Sequence, residues 1–194
     1  MSKRVFVLDG SPIKSSFSGS LCDAYGMGTK EAGHEVRSMS VSMMKFDMDL
    51  DHGYLEEKSL EPDLLRFQEN LTWCDHFVLG HPLWWGTVPA KTKGLIDRAF
   101  LPGFAFSFDA ATKKITKLLT HKSALVIVTS DTPDWYLKLV YRAGGFHMMK
   151  TQIFEFCGIS PVRFRHFSTT MDANETQRNV WLAQAKNDGL KLPL

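Results

Sequence analysis

Three short apolar runs constrain the fold of this chain more than any other feature. They occupy residues 5–8, 76–80 and 123–129, and each is followed by a polar loop or a turn with proline. Runs this short are typical of strands buried on both faces of a parallel sheet rather than of buried helices. A helical pattern follows each loop, so the sequence predicts strands alternating with helices in a doubly wound α/β fold.

Two further segments complete the predicted sheet. Residues 34–41 alternate in polarity as a more exposed strand does, and residues 161–167 form the last strand. The prediction is a five-stranded parallel sheet in the order 2-1-3-4-5 with helices on both faces. Helices are predicted at residues 21–33, 62–73, 89–100, 135–142, 147–157 and 174–188, with Gly144 and Gly145 separating the fourth from the fifth and a short helix and turn over residues 113–122.

Length and composition favour a single domain over residues 1–194. With 194 residues and 44% hydrophobic content, the chain can bury one core but is short for two. A formal net charge of +2, with both signs interspersed, gives no basic surface for nucleic acid. The three cysteines are scattered and form no CxxC motif. We therefore expect a protein of a reducing compartment, with neither structural disulfides nor a zinc site. Because neither a signal peptide nor a long apolar span occurs, we expect a cytoplasmic protein that does not insert into membranes.

A serine-rich loop follows the first predicted strand. Residues 13–20, here called the serine loop, precede a helix whose expected N-cap is Ser18. Free helix amides, hydroxyl donors and the positive end of the helix dipole would converge there, as they do in an anion site. The alternative is a polar turn with an ordinary cap. The loop matches neither the GxGxxG motif of dinucleotide binding nor the GxxxxGK[ST] motif of phosphate-binding loops.

Two adjacent indoles follow the third predicted strand. Pro82 cannot continue a strand ladder, so Trp84 and Trp85 are expected in a loop before a helix that begins near Pro89. We call residues 82–86 the Trp loop. Open α/β sheets bind ligands beyond the carboxyl ends of their strands, at a switch point that here lies between the first and third strands. The serine loop and the Trp loop flank this point, which suits a flat ring with polar edges. The alternative is that the indoles cap the core.

An acidic segment at residues 47–51 has the DxDxD spacing of a calcium-binding loop. The twelfth position from Asp47, where such a loop needs a bidentate glutamate, is Lys58. The sequence therefore favours a solvated acidic loop over a calcium site.

A longer pattern surrounds the Trp loop. It comprises His81-Pro82-Leu83-Trp84-Trp85, Val88-Pro89-Ala90, Lys93-Gly94, Asp97-Arg98-Ala99-Phe100 and Gly103-Phe104-Ala105-Phe106. Together with Ser15-Ser16-Phe17-Ser18, this pattern resembles the flavodoxin-like NAD(P)H:quinone oxidoreductases. That family includes small bacterial quinone and nitro-compound reductases and ancillary subunits of potassium efflux systems. The resemblance covers nearly the whole chain and implies a flavodoxin-like sheet.

The resemblance also implies a flavin and NAD(P)H as the electron donor. FMN is favoured over FAD, because the serine loop offers a phosphate site and the sequence shows no separate adenosine pocket. By resemblance, the phosphate is held by Ser11, Ser16, Phe17 and Ser18, and the ring by Pro82, Leu83, Trp84, Trp85 and Gly86, with Thr129 and Ser130 nearby. After Thr129 the family often has glycines that allow close approach to the ring, whereas this chain has Ser130-Asp131-Thr132-Pro133. No protein acid or base is assigned.

An aromatic segment after the third helix implies a partner subunit. Phe104, Phe106 and Phe108 recur at every second residue, so an extended segment would project their rings from one face. In the resembling enzymes this segment crosses a two-fold axis, which implies a homodimer with Phe106 and Phe108 in the substrate pocket. The alternative is that the rings pack on neighbouring helices.

The predicted function is flavin-dependent transfer of two electrons from NAD(P)H to a quinone-like acceptor by a ping-pong mechanism. The alternatives are a flavin-bearing electron carrier and a regulatory ancillary subunit of a potassium efflux system. A sequence pI of 8.4 argues against a carrier that docks basic partners, because such carriers tend to be acidic.

Overall fold

A five-stranded parallel sheet forms the centre of the protein. The computed structural model describes residues 2–53, 55–56 and 58–192. The sheet strands are β1 (Arg4–Asp9), β2 (Glu35–Ser40), β3 (His76–Pro82), β6 (Ser123–Thr129) and β7 (Val162–Phe167). They run in the order β2-β1-β3-β6-β7, which confirms the predicted flavodoxin-like order.

Helices cover both faces of this sheet. They are α1 (Phe17–Glu31), α2 (Pro62–Trp73), α3 (Ala90–Ala99), α4 (Asp134–Leu139), α5 (Gly144–Met148), a π-helix (Met149–Phe154), α6 (Glu155–Cys157) and α7 (Glu175–Lys191). One core packs Phe6, Phe67 and Phe77 between the sheet and α2. The other face packs Val5, Leu21 and other apolar side chains against α1 and α7. The sheet is therefore buried on both sides, as its continuous apolar strands require.

The predicted helix over residues 113–122 is wrong. Instead β5 (Ile115–Lys117) pairs antiparallel with β4 (Phe106–Phe108). The turn between these strands is fixed by Asp109, whose Oδ1 accepts hydrogen bonds from the amides of Ala111 and Thr112 at 2.9 Å each. Hydrogen bonds from the local backbone to the Asp109 side chain thus favour a turn, and the basic segment that follows it forms a strand instead of a helix.

The aromatic segment also departs from the prediction. Phe104 lies in a turn before β4, so it does not share an extended face with Phe106 and Phe108. Phe104 and Phe106 pack against the core, and the ring of Phe106 meets that of Phe156 at 5.2 Å between centroids. Phe108 alone of these three is largely exposed, at 52%. The alternative, packing on neighbouring helices, therefore holds for Phe106, while Phe104 packs against the core.

Two helix boundaries also move. The predicted helix over residues 21–33 begins earlier, at Phe17. Gly144 and Gly145 do not separate two helices but open α5, because the chain reverses at Arg142 and Ala143, which have positive φ.

Two buried histidines make the stability of this fold sensitive to acid. His76 lies between the hydroxyls of Tyr25 and Ser123, at 3.2 and 2.7 Å, and His81 Nδ1 donates to the Pro82 carbonyl oxygen at 2.9 Å. Burial lowers the pKa of each from 6.5 to about 4. Below pH 6.5 the unfolded chain therefore binds protons that the folded protein excludes.

We predict that the free energy of unfolding falls as the pH is lowered from 6.5 towards 4. The slope should reach about 1.4 kcal/mol per pH unit for each histidine. Urea unfolding across this range measures it. His81→Asn, which keeps a donor for the Pro82 carbonyl, should remove one histidine's share of the slope, whereas His52→Gln at an exposed position should leave it unchanged. An unaltered slope in the His81 variant would contradict the prediction.

Candidate functional site

The serine loop ends at the N-terminus of α1. The N-cap is Ser16, whose backbone is extended and whose Oγ accepts the amide of Gly19 at 3.1 Å. The prediction of Ser18 as N-cap is wrong, because Ser18 already lies in the first helical turn. Its Oγ is nevertheless 3.1 Å from Ser16 Oγ. Two hydroxyls and the amides of the first turn, which precede the first intrahelical hydrogen bond, therefore meet at one helix end.

Ser11 and Phe17 support this helix end. Ser11 is buried, and its Oγ accepts the amide of Ile13 at 3.2 Å, which closes the turn after β1. The ring of Phe17 packs 5.9 Å from Trp181, and the guanidinium of Arg178 lies 5.1 Å from its centroid. The side chain of Phe17 therefore packs against α7, and only its backbone amide is available at the N-terminus of α1.

A carboxylate lies beside the same hydroxyls. Asp9 Oδ1 accepts the Ser11 amide at 3.0 Å, and its Oδ2 accepts Ser40 Oγ at 3.1 Å. The position that a Cβ on Gly19 would take is 2.9 Å from Asp9 Oδ2 and 3.2 Å from Ser16 Oγ. Burial raises the pKa of Asp9. An anion at Ser16 would thus meet a nearby negative charge as well as helix donors.

A groove of about 610 Å³ extends from this point between α1 and β2. Its lining is rich in hydroxyls and includes both Asp9 and Asp23. Lys14 also lies in this lining, so the groove carries charges of both signs.

The Trp loop is a tight turn at the end of β3. The amides and carbonyls of Trp84 and Thr87 exchange two hydrogen bonds of 3.0 Å. Trp85 and Gly86 between them have φ of 50° and 78°, the left-handed pair of a type I′ turn, a conformation that is strained for tryptophan. Trp84 is 42% exposed and Trp85 is fully exposed, so the indoles do not cap the core.

A cleft of about 440 Å³ lies between the Trp loop and the α4–α5 region, and we call it the ring cleft. Its walls are largely apolar, which suits a planar ring. Gly145 packs so closely on the Trp loop that a Cβ there would be 1.8 Å from the carbonyl oxygen of Gly86. The cleft is lined by Leu83, Trp85, Gly86, Thr132, Leu137, Tyr141, Gly144 and Gly145.

Thr129 and Ser130 form the base of this region rather than its lining. The Thr129 carbonyl accepts the amide of Leu83 at 2.8 Å, and the Ser130 amide donates to Phe167 at 3.0 Å. The cleft is instead reached by Thr132 of the same loop. Sequence reasoning missed Thr132, Leu137 and Tyr141. The pair Gly144-Gly145 was the available signal, because adjacent glycines mark a close approach of backbones.

In the acidic segment at residues 47–51, the ammonium group of a lysine occupies the position between the carboxylates. Lys58 Nζ lies 2.6 Å from both Asp47 Oδ2 and Asp51 Oδ2, and 2.8 Å from the carbonyl oxygen of Asp49. Hydrogen bonding to Lys58 lowers the pKa of Asp47. The residue that stands in place of a calcium-binding glutamate thus supplies the cation. Among residues 2–53, 55–56 and 58–192, no group of three acidic, histidine or cysteine side chains is placed to hold a metal.

Within that same described part of the chain, no helix is long and apolar enough to cross a membrane.

Comparison with known proteins finds relatives in sequence and in fold. A ribosyldihydronicotinamide dehydrogenase-like protein of Penicillium crustosum is 28% identical over 65% of this chain and 57% of its own length. An FMN-dependent NADH:quinone oxidoreductase of Ruegeria pomeroyi is 32% identical over 58% of this chain and 54% of its own length. The chain thus spans little more than half the length of these two relatives.

A solved structure extends the likeness over the whole fold. The NAD(P)H:quinone oxidoreductase from Methanothermobacter marburgensis superposes with a TM-score of 0.83 over 100% of both chains, at 22% identity. At that identity the likeness shows the fold alone. The family model described as flavodoxin-like fold matches residues 3–188. The chain therefore belongs to the family of proteins with the flavodoxin-like fold.

Proposed function

We propose that this chain is an FMN-dependent NAD(P)H:quinone oxidoreductase. The observation that carries the proposal is that α1's N-terminus and the ring cleft both lie at the carboxyl edge of the sheet, on opposite sides of β3. Strand register brings Asp9 level with Gly80, and Pro82 level with Thr129. A phosphate anchor and a ring cleft on one edge fit the two ends of a flavin mononucleotide. The names of the relatives support the same chemistry.

The residues present fit such a group. Ser16, Ser18 and the Phe17 amide would hold the phosphate, with Ser11 closing the turn behind them. In the Trp loop, the amides of Leu83 and Trp84 are already bonded to carbonyls. The amides of Trp85 and Gly86 make no hydrogen bond to another residue that the structure describes. These two donors would meet the polar edge of the ring and stabilise negative charge there. Pro82 contributes no donor, and its role is to end the strand.

The bound flavin would supply the electron transfer itself, and the chain would position the reactants. Leu83, Leu137 and Tyr141 offer apolar and aromatic surface without a charged group, which favours planar apolar acceptors such as quinones. The nicotinamide donor and the acceptor would use the same site beside the bound ring in turn, the basis of a ping-pong cycle. The donor is NADH or NADPH, and a cytoplasmic location fits both.

We predict that the purified protein is yellow, with one FMN per chain. Heat release followed by chromatography of the supernatant identifies the flavin and separates FMN from FAD. Anaerobic NAD(P)H should bleach the flavin absorbance without an acceptor present, and a quinone added afterwards should restore it, as separate half-reactions require. A colourless protein that takes up neither flavin would remove the proposal. A flavin that NAD(P)H leaves oxidised would indicate a carrier or a regulatory subunit instead.

A second prediction concerns the opposing charges at the phosphate anchor. Replacing both Ser16 and Ser18 with Ala should weaken FMN binding by about tenfold or more, because hydrogen bonds to an ionised group are lost. Asp9→Asn should strengthen binding, by about tenfold at most, because a repulsive charge is removed. Fluorescence titration of FMN measures both.

The pH dependence separates this effect from simple changes of shape. Since burial raises the pKa of Asp9, acidification neutralises the wild-type carboxyl. The advantage of Asp9→Asn should therefore shrink as the pH falls. Asp23→Asn also removes one negative charge, but Asp23 lies about two helical turns from the N-terminus of α1. This variant should therefore change FMN affinity little. Equal effects of the two variants would contradict the assignment of the phosphate site.

We also propose a homodimer joined through the β4–β5 hairpin. Phe108, Ile115 and Leu118 leave much of their apolar surface exposed there, and exposed apolar surface of this kind marks a contact. Phe108 would then reach the substrate pocket of the partner, whereas Phe106, predicted to do the same, packs on Phe156 of its own chain and would support the hairpin from beneath.

Light scattering tests this proposal, with a dimer expected for the wild type. Phe108→Ser should shift the population to monomers and raise the KM for a quinone more than it changes flavin binding. Leu139→Ser, at an even more exposed apolar position on α4 and away from the hairpin, is the control. A monomeric wild type with full activity would refute the dimer.

A further inference from the structure

Three side chains form a hydrogen-bonded chain beside the ring cleft. His166 Nδ1 lies 2.5 Å from Asp134 Oδ1, and His166 Nε2 lies 2.8 Å from Ser130 Oγ. They come from three elements: the start of α4, the end of β7 and the end of β6. An ionised carboxylate only accepts hydrogen bonds, so Nδ1 carries a proton, and in the neutral ring Nε2 is left as an acceptor.

Ser130 has a second partner that connects this chain to the cleft. Its Oγ is also 3.2 Å from the carbonyl oxygen of Thr132, which lines the ring cleft. A serine hydroxyl has one hydrogen to donate. When His166 is neutral, that hydrogen bonds to Nε2. When His166 is protonated, Nε2 donates to Ser130 Oγ, and the hydroxyl hydrogen is released to bond to Thr132.

We propose that His166 is a positioning residue whose protonation ties Thr132 to Ser130 and so fixes one wall of the ring cleft. The inference rests on the proposed function in that the ligand of the cleft is the flavin ring. One proton on His166 reverses the direction of the hydrogen bond to Ser130. The wall is preorganised for the ring in the protonated state and less restrained in the neutral state.

The charges around His166 fit this assignment. On α4, Asp134 contacts His166 through its Oδ1. The other carboxylate oxygen of Asp134, Oδ2, lies 3.8 Å from Lys138 Nζ. After β6, Asp131 turns away and accepts Thr170 Oγ1 and the Met171 amide at 3.1 and 2.7 Å. From α5 it meets the ring of Phe146, 5.8 Å between centroids, and on β7 the neighbouring Arg165 pairs with Asp188. Asp134 is thus the charge in direct contact with the imidazole.

The hydrogen-bond directions can be read on the flavin-free protein. Long-range ¹⁵N NMR of the histidine rings should show neutral His166 as the Nδ1–H tautomer, opposite to the Nε2–H form that predominates for a histidine side chain in water. Ser130→Ala should remove the partner of Nε2 and change that nitrogen's shift. An Nε2–H tautomer in the wild type would overturn the proposal, whether or not the protein binds a flavin.

The coupling to the cleft is tested by comparing FMN dissociation constants for Ser130→Ala and the wild type between about pH 5 and pH 8, the range in which histidines commonly titrate. Titration of the FMN phosphate and of Asp9 affects both proteins alike and cancels in their ratio. The ratio should be close to one where His166 is neutral and should rise about three- to tenfold where it is protonated, the effect of one hydrogen bond. Its midpoint should match the ¹⁵N titration of His166.

Asp131→Ala is the matched control, because it loosens the same loop without touching His166. Its ratio to the wild type should not vary with pH. A ratio for Ser130→Ala that is equally flat would show a merely structural contact and overturn the proposal. Absence of FMN binding in all these proteins at every pH would instead remove the proposed function, and the NMR result would still decide the hydrogen-bond chain.

Discussion

The position of β3 between β1 and β6 determines everything at the candidate site. Parallel pairing places the carboxyl ends of these strands at one edge, and two backbone bonds extend that alignment into the loops. The Gly10 amide donates to the Gly80 carbonyl at 2.6 Å, and the Leu83 amide donates to the Thr129 carbonyl at 2.8 Å. Because side chains alternate along strands, a shift of one residue would exchange the two faces of β3 and separate the loops.

Close backbone approach makes this arrangement possible. A Cβ on Gly80 would lie 2.2 Å from Cys22 Sγ, so β3 reaches α1 only because that residue has no side chain. Gly145 plays the same part at the ring cleft, where it meets the Gly86 carbonyl. The chain lacks glycines in the loop after β6, and there the loop is held by side chains instead: Ser130 through His166, and Asp131 through Thr170 and Met171. In the resembling enzymes, glycines let this loop come close to the ring. In this chain, side-chain hydrogen bonds hold the loop in place instead.

The strands and the loops after β1 and β3 could be predicted because they depend on local patterns, and the strand order followed from the predicted doubly wound fold. Continuous apolar runs followed by loops specify buried parallel strands, and Pro82 after a strand places the indoles outside the sheet. The fold prediction was confirmed. The N-cap at Ser16 was missed because Ser16 and Ser18 are equally good capping residues, and only the backbone distinguishes them. The β4–β5 hairpin was missed because one aspartate decides the turn.

Contacts between distant residues were outside the reach of the sequence. Nothing in the order of residues places His166 between Ser130 and Asp134, since β7 must first pair with β6. The same holds for the walls of the ring cleft, which α4 and α5 bring to the Trp loop. For Asp9, the sequence shows a carboxylate after a strand but not its proximity to Ser16. These are consequences of tertiary packing, which residue spacing cannot encode alone.

The most direct test of the account is a crystal structure of the protein grown with FMN. We expect density for the phosphate at the N-terminus of α1, within hydrogen-bonding distance of Ser16 and Ser18. We expect the ring between the Trp loop and Thr132, with its polar edge at the amides of Trp85 and Gly86. Density for the phosphate elsewhere, or for the ring in the groove between α1 and β2, would contradict this placement.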